Sequence, residues 1–117
     1  MKIRERQLGN VVCLDVEGRL VASAEDGFLK DKVNSLLLEG RRQILLNFRG
    51  VAQIDTSGLA AITAARAAAE RNGGVIKLLN LAPRIYDLLV ITRLSTLFEV
   101  FESEAEAVES FAERTAV

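Results

Sequence analysis

The chain alternates short apolar runs with longer stretches in which apolar residues recur every three or four positions. Lys2 to Leu8 alternates weakly and stops at Gly9-Asn10, a turn signal. Val11 to Glu17 alternates more cleanly, with Val12, Leu14 and Val16 on one face and Val11, Cys13, Asp15 and Glu17 on the other. The two pieces predict a hairpin, or two neighbouring strands, at the start of a sheet. Cys13 falls on the more polar face by this phase, where a small filler is its simplest role. Gly18-Arg19-Leu20-Val21-Ala22-Ser23 is the next connection, and Ser23 with Asp26 has the spacing of a capping box. Phe28, Leu29, Val33, Leu36 and Leu37 then keep helical spacing as far as Glu39-Gly40.

Gln43 to Phe48 is apolar on both phases, the pattern of a central strand covered on both faces. A second helix runs from about Thr56 to Asn72, rich in alanine and so able to lie close to a sheet, and Gly73-Gly74 closes it. Val75 to Leu81 is another buried strand. Pro83 suits the first turn of a third helix, with Ile85, Leu88, Leu89 and Thr92 facing inward. Leu94 and Leu97 carry the apolar contact through a connection to a short strand, Phe98 to Phe101. Ser103 then caps a last helix, Glu104 and Glu106 sit in its first turn, and Ala105, Val108, Phe111 and Ala112 form its buried stripe. The order β-β-α-β-α-β-α-β-α predicts an α/β fold: one domain over residues 1–117, with a mostly parallel sheet of four to five strands, an edge hairpin and about four helices.

The join between the central strand and the alanine-rich helix carries the most chemistry. Ile54-Asp55-Thr56-Ser57-Gly58-Leu59 supplies a carboxylate, two hydroxyls and a glycine where a helix must start. With Asp55 as the cap, its side chain accepts a backbone N–H from Ser57 or Gly58, and Thr56 and Ser57 stand in the first turn. With free N–H groups and the positive end of the helix dipole, that turn would locally tolerate an added phosphate. The carboxylate of Asp55 opposes it at close range.

Composition narrows the chemistry. There is no histidine and a single cysteine, so Ser–His and Cys–His nucleophile pairs, Cys/His metal sites and an internal disulfide are all excluded. Lys30, Lys32 and Lys77 carry no motif that would make one of them a base for Ser57, and the glycines match neither a Walker loop nor a dinucleotide fingerprint. No catalytic residue, cofactor or metal is therefore expected. Fifteen basic residues against sixteen acidic ones give a net charge of −1, and tryptophan is absent, so no general attraction to nucleic acid is expected. No apolar run approaches the ~20 residues that span a bilayer. Met1 is followed by the charged segment Lys2 to Arg6 rather than a signal-peptide core, and a cytoplasmic protein is the expectation.

The run Asn47-Phe48-Arg49-Gly50-Val51-Ala52-Gln53-Ile54-Asp55-Thr56-Ser57-Gly58-Leu59-Ala60 resembles the signature of STAS domains, and more narrowly of anti-sigma factor antagonists: an apolar strand, a short loop, then Asp-[Ser/Thr]-[Ser/Thr]-Gly-Leu opening a helix. That resemblance implies binding to an anti-sigma factor that is also a Ser/Thr kinase, release of a sigma factor, phosphorylation at the hydroxyl before the glycine, and a phosphatase that reverses it. Here that hydroxyl is Ser57, with Thr56 as second candidate. Asp55, Thr56, Ser57, Gly58 and Leu59, together with Val21 and Ser23, are the implied partner-binding residues, with apolar side chains such as Leu59 on the docking surface. Val21 stands where the family commonly has an acidic residue, and Thr92-Arg93-Leu94 replaces a family Thr/Ser-Gly-Leu. The alternatives are a STAS subunit of a stressosome-type scaffold or of a lipid-transport complex, docking without phosphate turnover, and a domain that senses a small ligand at the same helix mouth. Oligomeric state stays open.

Overall fold

The structure, a computed structural model, describes residues 2–20 and 26–115, the side chains of 26–28 and 113–115 aside. In chain order the elements are β1 (Lys2–Leu8), β2 (Val11–Leu20), α1 (Asp26–Leu38), β3 (Gln43–Ile54), α2 (Thr56–Arg71), β4 (Val75–Leu79), α3 (Pro83–Ile91), a 3₁₀ turn (Leu94–Thr96), β5 (Val100–Phe101) and α4 (Glu104–Thr115). The five strands lie in the order β1-β2-β3-β4-β5; β1 is antiparallel to β2 and every other pair is parallel. Element order, parallel sheet and edge hairpin are those the patterning predicts.

A sheet whose order advances steadily in one direction leaves right-handed crossovers only one face for their helices. Accordingly Leu29, Val33 and Leu36 of α1, Leu59, Ile62 and Ala65 of α2, and Ile85 and Leu89 of α3 share one core with Val12, Leu14, Ile44, Leu46 and Leu78 of the strands. The opposite face is left to α4, whose Ala107 and Phe111 cover Val11, Cys13, Leu45 and Leu79. Burying both faces explains why Ile44, Leu45 and Leu46 are all fully buried in succession.

Several details differ from the sequence expectation. Arg49 to Gln53 is not a loop: β3 continues to Ile54 alongside β2, with register irregularities between Asp15 and Glu17 and between Gly18 and Arg19. Asp15 pairs with Asn47 but Glu17 with Gly50, and Gly18 with Val51 but Arg19 with Gln53, so β3 bulges twice and loses strict alternation there. A side chain at Gly50 would meet Glu17 Cγ at 2.7 Å, which accounts for the glycine. β4 ends at Leu79 because Asn80 turns left-handed (φ 58°), and β5 is only Val100–Phe101 while Phe98 enters the main core. Thr92 is exposed; its hydroxyl donates to the Leu88 carbonyl at 2.8 Å at the end of α3. In α4 the stripe runs through Phe111 and its i−3 and i−4 neighbours Val108 and Ala107, leaving Ala105 and Ala112 exposed. Cys13 is 0 % exposed, because the face that reads as polar is roofed by α4 at that point.

Candidate functional site

β3 delivers the chain to the site and α2 carries it away. Asp55 has extended backbone angles (φ −121°, ψ −172°) and is the N-cap of α2. Its Oδ1 accepts the Gly58 N–H at 3.0 Å, while its carbonyl accepts the Leu59 N–H at 2.9 Å. Its own N–H donates to the Leu20 carbonyl at 3.2 Å, tying the helix start to the end of β2. Thr56 and Ser57 therefore occupy the first two helical positions, Thr56 exposed and Ser57 half-buried.

Gly58 explains itself by contact. A Cβ there would lie 2.1 Å from the Leu20 carbonyl oxygen and 2.7 Å from Ile54 Cγ1, so only glycine lets α2 begin this close to β2. Leu59 is 3 % exposed and belongs to the main core. Its side chain fixes the first turn rather than offering a contact, which corrects the expectation of Leu59 on a docking surface. Val21 and Ser23, with the proposed Ser23–Asp26 capping box, lie outside the described residues. Leu20, the last described residue before them, is the one whose carbonyl the Asp55 N–H meets.

Two features of the opposite sheet face were not legible as a site. Asp15, Arg6 and Glu104 form a cluster: Arg6 Nε donates to Asp15 Oδ2 at 2.6 Å, and Arg6 NH2 donates to Asp15 Oδ1 at 2.9 Å and to Glu104 Oε1 at 2.6 Å. Asn47 Nδ2 adds a bond to Asp15 Oδ1 at 2.8 Å, and Asn80 Nδ2 donates to Asn47 Oδ1 at 3.2 Å. Burial alone would raise the Asp15 carboxyl, but the bonds from Arg6 and Asn47 outweigh it and hold it below its ordinary value. Burial, followed by the Asp15 charge, pushes the Cys13 thiol up to about 12, so it is inert as a nucleophile at neutral pH. Arg6, bonded to Asp15 and Glu104, has its pKa raised. The cluster pins β1 and the first turn of α4 to the centre of the sheet.

The second feature is Lys77, 2 % exposed. Its Nζ donates to Ser110 Oγ at 2.8 Å, lies 3.3 Å from Glu99 Oε2, and sits 4.7 Å from the centroid of the Phe111 ring. It clamps α4 to β4. Its place in a strand expected to be buried does not reveal what covers its charge, since Phe111 and Ser110 arrive from α4.

A single α/β domain with a hydroxyl-bearing helix start at the carboxyl end of its parallel strands is the class that this arrangement defines. The STAS domain family model matches residues 2–107, and the chain belongs to that family. Three solved structures show the same fold. A candidate anti-sigma factor antagonist of Thermotoga maritima superposes with a TM-score of 0.84 at 22% identity, covering 92% of both chains. The Bacillus cell fate determinant SpoIIAA in its phosphorylated form gives 0.72 at 20% identity, covering 94% of this chain and 99% of that one. A sulfate transporter family protein of Wolinella succinogenes gives 0.74 at 17% identity, covering 94% and 91%. No curated protein matches the sequence significantly. Among the described residues, no helix is long and apolar enough to cross a membrane.

Proposed function

We propose that the protein is an anti-sigma factor antagonist: it binds an anti-sigma factor that is also a Ser/Thr kinase, frees a sigma factor, and is switched off by phosphorylation of Ser57. It acts in the cytoplasm, by binding rather than catalysis, and a phosphatase returns it to the binding state. The observation that carries this reading is the geometry of Asp55-Thr56-Ser57-Gly58, capped by Asp55 and held against Leu20 at the rim of the sheet. A kinase supplies metal, base and nucleotide, so its target need present only a positioned hydroxyl. Thr56 is the second candidate acceptor. The fold likeness to SpoIIAA, solved in both unphosphorylated and phosphorylated forms, supports the reading.

The switch needs no rearrangement of the fold. Phosphate on Ser57 would add about −1.5 to −2 charges beside Asp55. A docked partner would then have to strip water from that charge or face it, and each ~1.4 kcal/mol of such cost lowers affinity tenfold. The likeness to a sulfate transporter family protein favours one other reading, a docking subunit of a transporter or stressosome-type assembly without phosphate turnover.

Incubation with the cognate kinase and ATP, followed by mass spectrometry of the wild type, Ser57→Ala and Thr56→Ala, separates these readings. Phosphate confined to proteins that retain Ser57 is expected. Equal phosphate in the wild type and Ser57→Ala would exclude Ser57 as the acceptor.

A further inference from the structure

β3 outruns one of its two neighbours. It pairs with β4 only from Gln43 to Asn47, where β4 ends at Leu79, yet on the other side its pairing with β2 continues to Ile54. From Arg49 to Ile54 the edge facing away from β2 therefore pairs with no strand among the described residues. The Asp55 N–H turns toward β2, where it meets the Leu20 carbonyl, so by alternation the Ile54 N–H and C=O turn the other way. No backbone group of another described residue meets them on that side. Free edges are commonly blunted by charge or proline, but Val51-Ala52-Gln53-Ile54 carries neither.

This edge opens on a groove. A cavity of about 710 Å³ lies between the end of β3 and the start of α3, with Val51 and Ile54 on one wall and Ala82, Pro83, Ile85 and Leu88 on the other. Val51 and Ile85 are buried, Ile54 and Leu88 half-buried, so the lining is apolar and largely dry. Clefts of about 300–1,000 Å³ are the size that holds a ligand. At ~3.3 Å per residue the free run from Val51 to Ile54 offers about 13 Å of edge, room for an added strand of about four residues. The single charged side chain of the lining, Arg84, is exposed and makes no ion pair or side-chain hydrogen bond with any described residue.

We propose that this groove binds an extended peptide segment of a partner protein, which adds a strand to the free edge of β3 and seats apolar side chains against Ile54, Ile85 and Leu88. The unpaired backbone selects that occupant. A helix has already spent its backbone N–H and C=O groups internally, and a fatty acid would cover the apolar walls while leaving the Ile54 backbone unmet. An extended chain supplies both the hydrogen bonds and the side chains. A carboxylate toward one end of it suits Arg84. The site does not depend on phosphorylation of Ser57, because its lining comes from β3, α3 and the residue before α3 rather than from α2.

The test uses a fluorescein-labelled peptide, Glu-Val-Thr-Val-Thr-Val-Glu, and the same peptide with alternate backbone nitrogens methylated, which keeps the side chains and removes the donors. Fluorescence anisotropy measures both against the wild type, Ala82→Trp, which fills the groove, and Ala105→Trp, an equal enlargement at an exposed position on α4. Ala82 makes no side-chain capping bond, so its replacement removes none, and circular dichroism verifies that each protein is folded. The unmethylated peptide is expected to bind the wild type and Ala105→Trp within about twofold of each other, and Ala82→Trp at least about tenfold more weakly. Methylation should also weaken binding at least about tenfold, the effect of losing two hydrogen bonds. Amide exchange of Ile54, followed by NMR, should slow at least about tenfold at saturation. No saturable binding up to about 1 mM peptide, or equal affinity for the methylated peptide, would overturn strand addition. Laurate that binds the groove while the peptide does not would assign it to a small apolar ligand instead. Concentration-dependent dimerisation of the wild type that Ala82→Trp abolishes, with no peptide binding, would assign it to a second copy.

Discussion

Replacing Gly58 with alanine isolates the contact that seats the helix start. In an exposed helix the exchange stabilises by about 1 kcal/mol, because alanine is the better helix former. At this site the new methyl would stand 2.1 Å from the Leu20 oxygen, nearly 1 Å inside the 3.0 Å limit that real Cβ atoms respect. Both clashing groups are awkward to move: the Leu20 carbonyl belongs to β2, and Ile54 Cγ1 lies beneath the turn. The start of α2 must therefore lift, at an overpacking cost of about 1–3 kcal/mol. Lifting also stretches the Asp55 N–H bond to Leu20, worth about 1 kcal/mol. Set against the helix-propensity gain, the net is a loss of about 2 kcal/mol, or about 8 °C in Tm for a domain of this size. Urea and thermal unfolding followed by circular dichroism would measure it. Gly73→Ala is the comparison: with φ 73° and nothing within 4 Å, it should lose only about 1 kcal/mol from backbone strain. A Gly58→Ala protein as stable as the wild type, or more so, would refute the close-approach argument.

Two further outcomes test the opposite face. Lys77→Ala should destabilise by about 2–4 kcal/mol in urea, since it empties the space beneath Phe111 and frees Ser110, whereas Lys77→Met keeps the stem and should cost less than about 1.5 kcal/mol. Because Asp15 titrates below its ordinary value of 3.8 in the folded state, its carboxylate contributes stability that is present above that value and lost as pH falls through the folded one. The gap in urea midpoint between the wild type and Asp15→Asn should be full at neutral pH and close in acid below about pH 4, and a gap unchanged across that range would contradict the network described.

What could be read from the sequence was whatever local spacing and end signals dictate. Period-two alternation set β2, the apolar run set β3, and Asp55, Gly73 and Pro83 marked the limits of α2 and α3 where the structure has them. The phosphoacceptor candidates lie on one capped turn for the same local reason. What escaped depended on long-range packing. Two bulges destroyed the alternation of Arg49 to Gln53, so a strand resembled a loop. Cys13 reads as polar-facing until α4 covers it, Leu59 reads as available until α2 docks, and the partners of Lys77 appear only when Phe111 and Ser110 arrive. The phase of α4 was ambiguous because Ala105, Ala107 and Ala112 are equivalent fillers; Phe111 alone selects the stripe, and it selects Ala107.

The most direct measurement is the affinity of the unphosphorylated protein and of its Ser57-phosphorylated form for the anti-sigma factor, compared by calorimetry under one buffer condition. A phosphorylated form that binds at least about tenfold more weakly, with an unchanged circular dichroism spectrum, is the predicted result. Equal Kd values for the two forms would contradict the claim that charge at the start of α2 is the switch.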